Sequence, residues 1–156
     1  MISLKITETP GKDWNNRILG TGLATMFQTL ERAEYFKETN RPHYFLQFVD
    51  SNEEIVGQLL VNIVKRFRDT SLKTKIFSKT PGIKKEICTW LYGPIIFNTK
   101  LNHEIYNTLK NFLQTNGYLA NGRTHPLLPI EQSFLQNNFK KKKWGTFMID
   151  LSNSKD

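Results

Sequence analysis

The segment from Glu54 to Phe67, EIVGQLLVNIVKRF, places apolar side chains at both parities: Ile55, Val56, Leu59, Leu60, Val61, Ile63 and Val64. Successive side chains of a strand point to opposite faces of its sheet. A strand apolar on both faces therefore needs cover on both faces, and it belongs in the middle of a sheet. The run is too short and too polar to span a bilayer as a helix. This one segment demands a layered fold in which other strands flank it and helices cover it.

Its neighbours supply both. HYFLQFV, from His43 to Val49, is rich in aromatic and β-branched residues. The turn chemistry of DSNEE then joins it to the apolar strand as a hairpin. Leu4 and Ile6 alternate with polar residues in a short N-terminal strand, which TPGKDWNN breaks. A helix is predicted over Thr25–Thr39, with Met26, Phe27, Leu30, Ala33 and Phe36 near one face. Pro42 marks the boundary before the hairpin.

Beyond the hairpin, RDTSLKTKIFSKTPGIKKE reads as a long basic loop, and ICTWLYGPIIF as one strand. Leu101, Ile105, Leu109, Phe112 and Leu113 define an amphipathic helix that ends at Gly117. YLANGRTHP is predicted as a strand, PIEQSFLQNNF as a short helix with Pro129 in its first turn, and KWGTFMIDL as a last strand. Antiparallel strands come first and α/β alternation follows. The fold class is mixed α/β, with a mostly antiparallel sheet and helices on both faces. With 156 residues, a single domain over residues 1–156 is the expectation.

The net charge is +8. Lys65, Arg66, Arg68, Lys73, Lys75, Lys79, Lys84 and Lys85 crowd one stretch against a single Asp69, and Lys140 to Lys143 form a second cluster. Such clusters suit an anionic partner such as nucleic acid, a phosphorylated substrate or an anionic membrane surface. Lysine- and asparagine-rich composition, or a solvated loop, accounts for them equally well. The lone cysteine, Cys88, allows no disulfide within the chain and fits a reducing compartment. MISLKITETPGKDW has no apolar core of signal-peptide length, so the expected location is cytoplasmic, with no transmembrane segment. His43, His103 and His125 share no metal-ligand spacing with each other or with Cys88, and no metal site is expected. No Gly-x-Ser-x-Gly, HExxH or P-loop motif is present. Asp150, in the last predicted strand, has the residue type of a polar cleft group, and Arg123, beside His125 at a strand end, is a candidate anion contact.

The element order resembles the GNAT acyltransferase fold, and DSNEEIVGQLLV is similar to the hairpin leading into that fold's third strand. The GNAT family ends the strand before its main helix in Gln/Arg-x-x-Gly-x-Gly/Ala, so that backbone amides reach the pyrophosphate of acetyl-CoA. Here the segment is GPIIFNTKLNHE. Ile95, Ile96 and Phe97 are bulky, and Pro94 has no N–H to donate. No cofactor is expected, acetyl-CoA included.

Three pieces resemble the Fem family, the peptidoglycan-bridge aminoacyltransferases: ATMFQTLERAEYFKE with its phenylalanine-glutamine helix entry, WLYGPIIF with its Gly-Pro strand, and NNFKKKKWGTFMIDLS. That resemblance implies transfer of an amino acid from aminoacyl-tRNA to an amine of a cell-wall precursor. It also implies that this chain corresponds to the first of two GNAT-like halves, completed by a second half or by a homodimer. Under it, Lys37, Trp90, Tyr92 and Arg123 are the candidate substrate contacts. Lys65, Arg66, Arg68, Lys73 and Lys75 are the candidate contacts for nucleic acid or another anion. No residue stands out as a catalytic base. Two other functions stay open from the sequence: a stand-alone acyl-CoA N-acyltransferase with an altered cofactor site, and a non-catalytic basic binding module.

Overall fold

A computed structural model of the chain describes residues 1–66, 84, 86–125, 136–137 and 139–140. Among the described residues six strands form one sheet: β1 (Ser3–Thr7), β2 (His43–Val49), β3 (Ile55–Lys65), β4 (Glu86–Trp90), β5 (Ile95–Ile96) and β6 (Leu119–Gly122). Their order is β1-β2-β3-β4-β6, and β5 also pairs with β3. All pairings are antiparallel except the parallel pair β4–β6. β3 sits in the middle, as its two-sided apolar pattern requires, and is buried without interruption from Val56 to Ile63. No helix among the described residues is long and apolar enough to cross a membrane.

Three α-helices are described: α1 (Trp14–Leu19), α2 (Leu30–Glu38) and α3 (Asn102–Thr115). They divide between the two faces according to strand parity. Phe45 of β2 and Leu60 of β3 are register partners. They pack with Trp14 and Ile18 of α1 and with Ala33 and Phe36 of α2. The opposite parity, Leu46, Phe48, Leu59, Val61 and Ile63, packs with Ile105, Tyr106, Leu109, Phe112 and Leu113 of α3. Cys88 lies fully buried on this second face, and burial pushes its thiol up to about 12. It is a protonated core residue under ordinary conditions.

Three elements differ from the sequence expectation. WNNRIL forms α1 where a break is predicted. Its apolar content is small, but Trp14 is fully buried and its indole N–H donates to the Gln28 carbonyl at 2.6 Å, so packing stabilises what propensity would not. The predicted helix over Thr25–Thr39 is a 3-10 turn at Met26–Gln28 followed by α2. The division falls at Thr29, whose backbone is extended and whose hydroxyl accepts from the Arg32 N–H at 3.4 Å, an N-cap. The single strand predicted for ICTWLYGPIIF is two, β4 and β5, with Leu91–Pro94 between them. The helix predicted around Pro129 and the last strand, KWGTFMIDL, lie outside the described residues.

Trp90 and Gly122 are register partners in the β4–β6 pair. A Cβ on Gly122 would fall 1.8 Å from Trp90 Cε2, so the indole lies against the bare backbone of β6. Gly122→Ala should therefore cost about 3 kcal/mol by urea denaturation, the upper end for overpacking. Adding Trp90→Leu should recover part of that loss in the double variant. Equal stability of Gly122→Ala and the parent chain would show that the ring does not occupy this position.

Candidate functional site

The site grows from a parting between strands. β3 pairs with β4 from Lys65 to Asn62, and with β5 at Gln58 and Gly57. Between Asn62 and Gln58 the chain of β3 advances four residues, while the opposing chain advances six, from Thr89 to Ile95. The surplus residues bow away from β3. Tyr92 in the bow has φ +52°, in the left-handed region that bulky residues seldom adopt, and the Gly93–Pro94 bond is cis. The bow is tied to the end of β6: the Gly93 N–H donates to the Arg123 carbonyl at 3.0 Å, and the Arg123 N–H donates to the Trp90 carbonyl at 3.1 Å. The Trp90 indole N–H closes the loop by donating to the Gly93 carbonyl at 3.0 Å.

Where β4 leaves, the peptide groups of Leu60 lose a strand partner, and Gln28 replaces it. The Leu60 N–H donates to Gln28 Oε1 at 2.8 Å, and Gln28 Nε2 donates to the Leu91 carbonyl at 2.7 Å. The same nitrogen lies 3.4 Å from the Leu60 carbonyl. Gln28 is fully buried, and a side-chain amide is the group that can satisfy a donor and an acceptor together there. Gly93 leaves room for it: a Cβ there would be 2.4 Å from Leu59 Cδ1 and 3.1 Å from Gln28 Nε2. A second buried glutamine, Gln58, donates through Nε2 to the Trp14 carbonyl at 3.0 Å and accepts from Arg17 Nε at 3.0 Å.

Beside this plug, on the face that carries α1 and α2, lies a cleft of about 320 Å³. Its floor is a polar row across three strands. Asn62 is the partner of Thr89, and Thr89 the partner of Asn121. The Thr89 hydroxyl donates to Asn62 Oδ1. Phe27, Phe36, Leu60 and Leu91 form apolar walls. Arg32 and Arg123 also line the cleft, and none of the described lining residues is a carboxylate, imidazole or thiol. Arg32 lies over three rings, its guanidinium carbon 5.6 Å from the centroid of Phe27, 4.7 Å from Tyr35 and 4.8 Å from Phe36. A cleft so lined can hold an anion and donate hydrogen bonds, and it has no evident group for proton transfer.

The sequence-predicted residues are distributed as follows. Arg123 lines the cleft, and so does Trp90, whose ring is buried in the α3-side core. Tyr92 is in the bow next to the cleft, between Phe27 at 5.3 Å and His125 at 6.1 Å between ring centroids. Lys37 is exposed on α2 and does not line the cleft. Lys65 and Arg66 are exposed at the end of β3. Arg68, Lys73, Lys75, Lys79, Lys85, Lys141–Lys143 and Asp150 lie outside the described residues. Lys84 donates to the Tyr118 carbonyl at 3.1 Å. Among the described residues no group of histidine, cysteine and acidic side chains could hold a metal. Sequence reasoning missed Gln28, Arg32, Asn62, Thr89 and Asn121. Two signals were available: Gln28 in the phenylalanine-glutamine pair, and Asn62, a polar residue inside an otherwise apolar strand.

At the junction of β5 and α3, Ile95 and Ile96 are buried in the sheet. The Asn98 side chain accepts from the Lys100 N–H at 3.1 Å, and the Leu101 N–H donates to the Asn98 carbonyl at 3.1 Å. The Lys100 and Leu101 amides of the 3-10 turn leading into α3 are thus occupied within the chain.

No protein-family model matches this chain, and no curated protein matches it. Among solved structures, the fold is similar to that of a protein described as "Putative acetyl transferase from Pyrococcus furiosus", at 11% identity and a TM-score of 0.50. The match covers 96% of this chain and 100% of that one. At that identity the likeness shows the fold, which is the mixed, mostly antiparallel GNAT-like arrangement expected from the element order.

Two outcomes follow from the site. Gln28→Leu keeps the volume but orphans the Leu60 N–H and the Leu91 carbonyl, and should cost about 2–4 kcal/mol in urea denaturation. A loss below about 0.5 kcal/mol would mean that water or a local shift meets both groups. His125 is buried, and burial lowers its pKa from the usual 6.5. Between that lowered value and 6.5 the unfolded chain binds the proton and the folded chain does not. Stability is therefore full above pH 6.5 and falls as the pH drops towards the lowered value. Thermal unfolding across pH 7.5 to 5 should show a shallower decline in His125→Gln, and parallel declines in both chains would refute the assignment.

Proposed function

We propose that this chain is an N-acyltransferase of the Fem type, which moves an aminoacyl group from aminoacyl-tRNA onto an amine of a cell-wall precursor without acetyl-CoA. The observation that carries this reading is the β5–α3 junction. The place where a GNAT fold offers free amides to a pyrophosphate holds buried Ile95 and Ile96, and Asn98 caps the 3-10 turn that precedes α3. A donor held elsewhere suits that junction better than a coenzyme held there. Two of the three stretches that resemble the Fem family also support it, because they meet in space. Gln28 of the phenylalanine-glutamine pair bonds to the bow that carries Gly93–Pro94.

In the proposed reaction the acceptor amine attacks the ester carbonyl, a C–N bond forms, and the tRNA hydroxyl leaves with the proton the amine sheds. The lining of the cleft supplies hydrogen-bond donors and positive charge. Catalysis would thus rest on positioning and on stabilising the tetrahedral oxyanion. A second GNAT-like half or a second copy would complete the acceptor side, and the reaction belongs in the cytoplasm, where aminoacyl-tRNA is found. The fold likeness to a protein described as an acetyl transferase, along the full length of that chain, favours a second reading as an acyl-CoA N-acyltransferase.

One pair of measurements separates the two. tRNA charged with labelled amino acids is incubated with the protein and a soluble muramyl pentapeptide, and thermal unfolding is followed with millimolar acetyl-CoA. Label moving to the peptide, with no thermal shift from acetyl-CoA, is the expected result. A clear stabilisation by acetyl-CoA, which requires binding to the folded chain, with no label transferred would overturn the Fem-type reading in favour of the second.

A further inference from the structure

We infer that the cleft is built to hold the carboxylate terminus of a peptide, with Arg32 as its anchor. The inference rests on the transferase reading only for taking the cleft as a substrate site, and its chemistry follows from what the lining residues leave unused. The guanidinium of Arg32 makes no hydrogen bond and no ion pair with any described residue. Its neighbour Glu31 is turned away, with both carboxylate oxygens 3.1 Å from Asn15 Nδ2. Yet Arg32 is half-buried and stacked on Phe27, Tyr35 and Phe36. Holding a long cationic side chain in place costs rotamer entropy. Stacking on three rings offsets that cost while leaving the rim of the guanidinium, where its five donors lie, for a ligand.

Charge and hydrogen-bond capacity agree on the ligand. No described lining residue brings an acid, so the charge of Arg32 stands unopposed among them. The apolar walls of Phe27, Phe36, Leu60 and Leu91 reduce the screening of an anion placed among them. On the floor, the Asn62 carboxamide accepts from Thr89 through Oδ1, which leaves its NH2 group to donate, and the Asn121 side chain makes no hydrogen bond with a described residue. A donor and a donor–acceptor pair, spaced by one strand step on either side of Thr89, match the alternating N–H and C=O groups of a peptide. A planar oxyanion joined to amide groups is a peptide carboxylate. An isolated phosphate would use Arg32 and leave the asparagines idle.

The test is binding, measured on the full chain without any acyl donor. Arginine Nε–H signals of the labelled protein are followed by NMR during titration with Ala-Ala, with its C-terminal amide Ala-Ala-NH2, and with inorganic phosphate at matched ionic strength. Ala-Ala should shift the Arg32 signal and bind about tenfold or more tightly than the amide, the loss expected when a charged hydrogen bond is removed. Arg32→Gln should weaken Ala-Ala by a similar factor, and Arg32→Lys, which keeps the charge but loses the fork, by less. Circular dichroism checks both variants. If Arg32→Gln does not fold, the comparison of Ala-Ala with Ala-Ala-NH2 on the unaltered chain still decides. Equal binding of acid and amide, phosphate binding without Ala-Ala binding, or no shift with any probe would each overturn the inference. A chain that binds Ala-Ala but transfers no amino acid loses the transferase reading and keeps this one. Label transfer that proceeds unchanged in Arg32→Gln has the opposite consequence.

Discussion

The carboxamide of Gln28 stands where a strand would otherwise be, and the architecture around it follows from that substitution. A central strand buried on both faces cannot leave a peptide group without a partner. β3 loses β4 at Leu60, and the Gln28 side chain meets the Leu60 N–H and the Leu91 carbonyl together. With that replacement, β4 can bow outward and return as β5 without an orphaned donor in the core. The bow in turn holds the end of β6 through Gly93 and Arg123, and that end carries two of the residues that line the cleft. Remove the amide, and the bow has no reason to keep its distance from β3.

The same residue couples the helices to the sheet. The Gln28 carbonyl accepts from the Trp14 indole, the Trp14 carbonyl accepts from Gln58, and Gln58 accepts from Arg17. α1, the 3-10 turn and two positions of β3 therefore form one hydrogen-bonded unit in an otherwise apolar layer. Networks of this kind fix one arrangement because each half-satisfied alternative is costly. Phe27 lies on the rim of that unit and lines the cleft, so the position of the cleft wall is inherited from the buried network beneath it.

How much of this was legible in the sequence depends on how local each feature is. β3 was legible because burial on both faces leaves apolar residues at both parities. β2, α2 beyond Thr29 and α3 follow from periodicities of two or near four. α1 was not legible: WNNRIL has only Trp14 and Ile18 to bury, and tertiary packing supplies what the segment lacks. The bow was read as strand because Leu91, Tyr92, Ile95 and Ile96 all favour strands, and nothing local reports the two surplus residues. The floor of the cleft is the least local feature. Asn62, Thr89 and Asn121 come from three strands, and only the register across β3, β4 and β6 aligns them. Arg32, read one residue at a time, is an ordinary helix arginine. Its rings at Phe27, Tyr35 and Phe36 identify it only when α2 and the turn before it are placed together.

The position of the polar row has a physical cause. The described residues of α1 and α2 pack on Phe45 and Leu60, which places their cover over β2 and β3. Their buried cluster includes no residue of β4 or β6 among the described residues. Apolar side chains on that face of β4 and β6 would face solvent among the described elements, whereas Thr89 and Asn121 tolerate it. On the opposite face the fourteen residues of α3 cover the sheet, and there β4 turns inward with Cys88 and Trp90, both buried. Strand parity thus assigns one face of β4 to the core and the other, among the described residues, to the polar floor of the cleft. Arg32 of α2 and Arg123, just past the end of β6, both line the cleft above that floor.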